Sequence, residues 1–193
     1  MRRRFKKVDT LLEEDFLDEG EQEELVSNLQ QIYRQQTLRT RLFMLALSLL
    51  CVAGHLYLAA QQHLHPWGLK HHAHFYGLLS EKSVVAGDIL SAASAAMTGL
   101  LWAHGILETQ KGGCAWRRKT LEVALAACAS TFWISAILQA PSDGFWTESW
   151  QYQWMWLEPP LLLGLSKYSE RSSLDSQQLL TRLQGYSYNH EKL

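Results

Sequence analysis

Three ionisable side chains lie deep inside long apolar stretches of this 193-residue sequence: His55, Asp88 and Glu158. His104 and Glu122 lie near the cytosolic edge of such stretches, where their side chains can reach water. Titratable groups are costly in hydrocarbon, and where they occur they commonly hold an ion, a substrate or a proton. Counting ~1.5 Å per helical residue from the basic end of each stretch places His55 roughly 20 Å deep and Asp88 roughly 24 Å deep. These similar depths permit a His55–Asp88 pair. Glu158 lies about 12 Å deep by the same count.

Two prolines directly follow Glu158 in the sequence. Each proline lacks a backbone N–H and crowds the carbonyl four residues earlier, so the carbonyls of Met155 and Trp156 lose their helical partners. In lipid, such groups must be satisfied by another helix, a hydroxyl or water. The pattern permits a kink with Glu158 protonated or bonded to a neighbour, or a functional polar site. The candidate intramembrane polar site comprises His55, Asp88, Glu158, Pro159 and Pro160.

A dense group of histidines follows the first apolar stretch. Imidazole nitrogens at this density are able to bind Zn, Cu or Ni. Membrane desaturases and hydroxylases hold two irons with histidine boxes, but those enzymes need more histidines, spread over several cytosolic segments. A structural or interfacial loop is therefore the favoured interpretation, metal binding is the alternative, and no cofactor is expected. The candidate metal ligands are His63, His65, His71, His72 and His74.

A row of small residues repeats every four positions through the second apolar stretch. Lipid supplies no hydrophobic drive for helix association, so close backbone approach over small residues supplies the packing contacts. The row predicts that this helix is the centre of a compact bundle, or that a partner's helix docks on it. The predicted packing face comprises Ser83, Gly87, Ser91, Ala95, Gly99 and Ala103.

Four apolar segments that could hold these residues are long enough to cross a bilayer. The first contains 19 residues without a formal charge, which reach about 28 Å as a helix and match a hydrocarbon core of roughly 30 Å. The fourth is interrupted by its prolines, so it crosses the membrane or enters and returns. We predict an all-α polytopic membrane protein, a four-transmembrane-helix bundle with an amphipathic N-terminal cytosolic helix. The predicted spans are 42–60, 84–107, 121–140 and 146–166.

Basic residues near the ends of these segments predict their orientation, because positive charge stays on the cytosolic side. Arg34, Arg39 and Arg41 precede the first segment, Lys167 and Arg171 follow the fourth, and a further basic cluster separates the second from the third. Both termini are therefore expected in the cytosol. The predicted organisation is a cytosolic charged segment (1–40), the bundle (41–166) and a cytosolic polar tail (167–193).

Three further patterns in the sequence carry weaker signals. Residues 14–39 have apolar side chains at helical spacing, which predicts an amphipathic helix that leads into the first span or docks on a partner. Trp146, Trp150 and Trp154 recur every four residues, as in an interfacial anchor or an aromatic wall for a lipid. The first thirty residues contain no apolar core of a secretory signal, and their acidic stretch argues against a mitochondrial presequence.

No nucleotide-binding or hydrolase motif is present, and the short basic runs beside the membrane do not resemble a nucleic-acid surface. We expect a non-enzymatic accessory or scaffold subunit of an endoplasmic reticulum or nuclear envelope complex. Its partners would be the lipid bilayer and other membrane protein subunits, and no nucleic acid. The alternatives are a small transporter, channel or lipid-binding protein with its polar site at Glu158, and a metal-dependent membrane enzyme.

Overall fold

The described part of the chain is entirely helical in the computed structural model. Four long helices and one short turn of helix alternate with loops, and the described ranges contain no strand. The structure describes residues 19–73, 75–107, 115–139 and 154–190. The helices are α1 (Glu19–Leu64), α2 (Lys70–Ala73), α3 (Glu81–Leu107), α4 (Ala115–Leu138) and α5 (Trp154–His190).

Three of the helices are long and apolar enough to cross a membrane: Glu23–Leu64, Glu81–His104 and Arg117–Leu138. The first contains the predicted span 42–60, and the other two cover most of the predicted spans 84–107 and 121–140, which extend past His104 and Leu138. The fourth, 146–166, starts outside the described residues, and its described part opens α5, which continues without a break to His190. The four-span count therefore stays a prediction, as does the amphipathic character of residues 14–39.

The chain divides into two compact units. The membrane unit comprises Leu38–Glu170 and contains all the apolar helical segments. The polar unit is described over residues 19–37 and 171–190, the two helix ends that leave the apolar segments. Within the polar unit the Tyr33 hydroxyl donates a hydrogen bond to the carbonyl oxygen of Ser173 over 3.1 Å.

Helix α3 packs through its small residues inside the membrane unit. Gly87, Ser91, Ala95 and Gly99 are buried in consecutive turns. A Cβ atom on Gly87 would lie 2.2 Å from the Phe132 ring of α4. A Cβ atom on Gly99 would lie 3.1 Å from the Ser48 Cβ of α1. The row thus brings α3 close to two helices of its own chain. Ser83 and Ala103, at the ends of the row, are only half-buried.

The apolar core of the membrane unit forms two clusters along the helices. One cluster lies at the end that carries the α1–α3 loop and contains Leu58, Phe75, Val84 and Trp133. The second joins Met44 of α1, Ala95 of α3 and Leu162 of α5. Large apolar side chains on the outer faces, such as Leu50 at 70% exposed, are placed as a lipid environment requires.

Candidate functional site

Four titratable side chains form a continuous row inside the membrane unit. His72 Nε2 lies 3.1 Å from Asp88 Oδ2, and Asp88 Oδ1 lies 3.6 Å from His55 Nδ1. The other ring nitrogen, His55 Nε2, lies 3.0 Å from Glu158 Oε2. We call these four residues the His–carboxylate chain. Its members come from four elements, α2, α3, α1 and α5, so it forms only when the whole unit is folded.

The His–carboxylate chain is shielded from solvent almost completely. The side chains of His72 and Asp88 are 0% exposed, that of His55 is 2% exposed and that of Glu158 is 16% exposed. Burying a charge in a medium of low dielectric constant costs several kcal/mol per ion even after relaxation. Each imidazole lies within 3.6 Å of a carboxyl oxygen, and this proximity offsets part of the cost. Neither Asp88 oxygen accepts a hydrogen bond from the described residues.

His55 contacts a carboxyl group through each of its ring nitrogens, and this gives the row its chemical character. A protonated imidazole is a donor at both nitrogens, whereas a neutral one donates from one and accepts at the other. When His55 is neutral, one of its contacts is satisfied only if that carboxyl group carries the proton. The arrangement therefore offers a proton alternative positions on Asp88, His55 and Glu158.

The two prolines that follow Glu158 lie within α5, and the helix continues through both. Pro159 is buried and Pro160 is exposed. Because neither nitrogen carries a hydrogen, two carbonyls in the preceding turn receive no helical N–H. Glu158 Oε1 also receives no hydrogen bond from the described residues. The end of the His–carboxylate chain thus combines a carboxyl group with acceptors that a proton donor or water would satisfy.

The three loop histidines whose side chains the structure describes do not form one group. His72 is buried on Asp88, whereas His63 is 77% exposed, with Nδ1 3.6 Å from Glu81 Oε1. His65 is exposed as well. The side chain of His71 and the whole of His74 lie outside what the structure describes, as do the side chains of the predicted tryptophan cluster. Among the described side chains, no group of three or more His, Cys, Asp or Glu is placed to hold a metal ion.

Sequence reasoning placed Glu122 at the membrane edge with its carboxylate free to reach water, and this prediction was wrong. The Glu122 side chain is 0% exposed. Its Oε1 accepts hydrogen bonds from the Thr98 hydroxyl at 3.1 Å and the Ser166 hydroxyl at 3.2 Å. Its Oε2 accepts one from Lys167 Nζ at 2.7 Å. We call Thr98, Glu122, Ser166 and Lys167 the Glu122 cluster.

The Glu122 cluster joins three helices of the membrane unit. Thr98 belongs to α3, Glu122 to α4, and Ser166 and Lys167 to α5. Trp102 of α3 adds a hydrogen bond from its indole Nε1 to Ser166 Oγ at 3.0 Å. The sequence does place hydroxyl, carboxyl and ammonium groups near one end of three apolar segments. Hydropathy alone does not show that these side chains face each other, so the Glu122 cluster was not predicted.

One further polar contact stabilises the packing of α3 on α4. The indole Nε1 of the fully buried Trp133 donates a hydrogen bond to Ser91 Oγ at 3.0 Å. Ser91 is a member of the small-residue row, so the row supplies an acceptor as well as room. No protein-family model, curated protein or solved structure matches this chain.

Proposed function

We propose that this protein is a small polytopic transporter that moves protons through the His–carboxylate chain. One observation carries the proposal: imidazole and carboxyl groups alternate in a row buried among apolar helices, with 3.0 to 3.6 Å between neighbouring nitrogen and oxygen atoms. Imidazole and carboxyl groups exchange protons with each other and with water near neutral pH, which suits a relay. The relay has one end at His72, next to the α1–α3 loop, and the other at Glu158.

The alternative use of such a row, as a purely structural device, explains it less well. Replacing a buried ion pair by well-packed apolar residues is often neutral or stabilising by 1–4 kcal/mol. Small residues already bring α3 close to its neighbours without any charge. A row of four titratable groups therefore adds little stability that apolar packing would not supply, whereas proton transfer requires all four.

The test is proton flux in vesicles. The purified chain is reconstituted in liposomes that contain a pH-sensitive dye, and a valinomycin-induced potassium potential drives protons inward. Glu158→Gln removes the titratable carboxyl group but retains its size and polarity. Glu81→Gln is the matched control, because Glu81 lies on α3 near an exposed histidine and outside the chain of buried groups.

We expect acidification above protein-free liposomes for the wild type and for E81Q, and background rates for E158Q. Equal rates for wild type and E158Q would contradict the proposal, and so would a wild-type rate equal to that of empty vesicles. Each preparation is checked by size-exclusion chromatography and circular dichroism so that a misfolded variant is recognised.

A second candidate, an accessory subunit of an endoplasmic reticulum or nuclear envelope complex, is favoured by the polar unit. Its two helix ends are joined by the Tyr33–Ser173 hydrogen bond and carry exposed apolar side chains, including Ile32 and Leu174. With both termini in the cytosol, this unit would be available to other subunits. Purification in mild detergent that recovers this chain alone would count against the candidate, and a reproducible stoichiometric complex would support it.

A further inference from the structure

Two buried polar sites occupy different levels of the membrane unit. Asp88 and Thr98 lie ten positions apart on α3, which corresponds to about 15 Å along the helix. Glu158 and Ser166 lie eight positions apart on α5, about 12 Å. The His–carboxylate chain is the level nearer the α1–α3 loop, and the Glu122 cluster is the level at the other end.

An apolar layer separates the two sites. Leu162 is 4% exposed and Ala95 is 1% exposed, and both belong to one cluster with the buried Met44. On α5 the residues Glu158, Leu162 and Ser166 follow one another at four-residue spacing, so they share one face of the helix. Leu162 therefore lies directly between the two polar levels, one turn from each.

We propose that Glu122 is a second proton-binding station, at the end of the unit opposite His72, and that Leu162 forms the barrier between the stations. This inference rests on the proposed function, since it names the acceptor for the protons that Glu158 releases. Apolar constrictions of this kind gate passage by excluding water. Transient water in the Leu162 layer would carry the proton from one carboxyl group to the other.

The chemical step is a proton transfer without any change in oxidation state. A proton leaves the Glu158 carboxyl group through water and binds the Glu122 carboxylate, which becomes a carboxylic acid. The new O–H cancels the charge that held Lys167, and the ammonium group keeps its own protons. Release of the proton to bulk water restores the Glu122 carboxylate and its ion pair with Lys167.

Lys167 gives the second station its route to solvent. Glu122 itself is 0% exposed, but the Lys167 side chain is 38% exposed. Lys167 Nζ also lies 4.0 Å from Glu170 Oε2, and Glu170 forms an ion pair with Lys119. A series of charged groups thus leads from the buried carboxylate to the surface, as an exit for protons requires.

The experiment uses the same vesicle assay on the full chain. Leu162→Asn places a polar amide in the barrier, and Leu161→Asn is its matched control on the exposed face of the same helix turn. We expect a several-fold faster flux for L162N and wild-type flux for L161N. Equal rates for L162N and L161N would overturn the assignment of Leu162 as the barrier.

Glu122 is tested by Glu122→Gln and Glu122→Asp. E122Q should reduce flux to the rate of E158Q, whereas E122D, which keeps a carboxyl group, should retain measurable flux. Thermal unfolding in detergent shows whether E122Q is folded. If it is not, the flux of E122D tests the second station and the flux of L162N tests the barrier. Wild-type flux in folded E122Q, together with loss of flux in E158Q, would overturn the second station and leave the proposed function intact. A wild-type flux no higher than that of protein-free liposomes would contradict both the proposed function and the second station.

Discussion

Substituting Gly87 by alanine should destabilise the membrane unit strongly. The added Cβ would lie 2.2 Å from Phe132 Cε1 and 2.9 Å from Trp133 Cζ2. Carbon atoms in good contact are ~3.5–4.0 Å apart, so at least one ring must move by more than an ångström. Trp133 is fully buried and cannot retreat into lipid. Overpacking of this kind costs about 1–3 kcal/mol, roughly a 5- to 150-fold rise in the unfolding equilibrium constant.

Three other glycines provide a graded set of controls for this prediction. Cβ atoms on Gly54 and Gly164 would meet nothing within 4 Å, so alanine there should be neutral or stabilise the helix by up to about 1 kcal/mol. Gly99 is intermediate, because its Cβ would lie 3.1 Å from Ser48 Cβ. The expected order of stability is G54A and G164A highest, then G99A, then G87A.

The assay is equilibrium unfolding in mixed micelles, with sodium dodecyl sulfate as the denaturant and tryptophan fluorescence and circular dichroism as signals. Coincident transitions by both signals justify a two-state fit. If G87A unfolds at the same denaturant fraction as G54A, the close approach of α3 to α4 is incorrect.

Two further predictions concern the buried polar contacts. Lys167→Met should destabilise the folded unit more than Glu122→Gln. The first change leaves a 0% exposed carboxylate without its ammonium partner, whereas the second leaves a partly exposed ammonium group without its carboxylate. A reversed order of the two unfolding midpoints would contradict this prediction. Ser91→Ala should cost about 1–3 kcal/mol by leaving the buried Trp133 indole N–H without its acceptor, and Ser135→Ala, at an exposed position whose hydroxyl bonds only to its own helix, is the control for that measurement.

The small-residue row was the most informative pattern in the sequence. Four-residue spacing of small side chains predicted close packing of α3, and Gly87, Ser91, Ala95 and Gly99 are buried in the structure. The pattern could not distinguish packing within the chain from docking of a partner's helix. Small residues indicate how closely a neighbouring helix approaches. They do not identify that neighbour, because Phe132 and Ser48, which contact the row, belong to no sequence pattern.

Depth counting along the helices placed His55 and Asp88 at one level, and they lie 3.6 Å apart. It did not place His72 or Glu158 beside them. The rotation of a helix about its own axis is set by tertiary packing, and an apolar segment presents no continuous polar face from which to predict that rotation. His72 was hidden for another reason: it enters the unit from a loop, where neither period nor depth is defined.

Glu122 was misjudged because its depth alone is ambiguous. A carboxylate at the end of an apolar segment reaches water when its side faces lipid headgroups, but it is buried when another helix passes over it. Helix α5 continues through Ser166 and Lys167 and covers Glu122 with two donors. Predicting this would have required knowing that α5 does not end where its apolar segment ends.

The polar contacts help to determine the axial position of α5. Sliding α5 by one turn, ~5.4 Å, would place Leu162 where Glu158 now faces His55. Such a shift would also separate Glu122 from Ser166 and Lys167, its donors on α5, and each buried group left without a partner costs about 1–3 kcal/mol. The two polar levels therefore fix the same register of α5, and their one-turn spacing from Leu162 keeps the barrier residue between them.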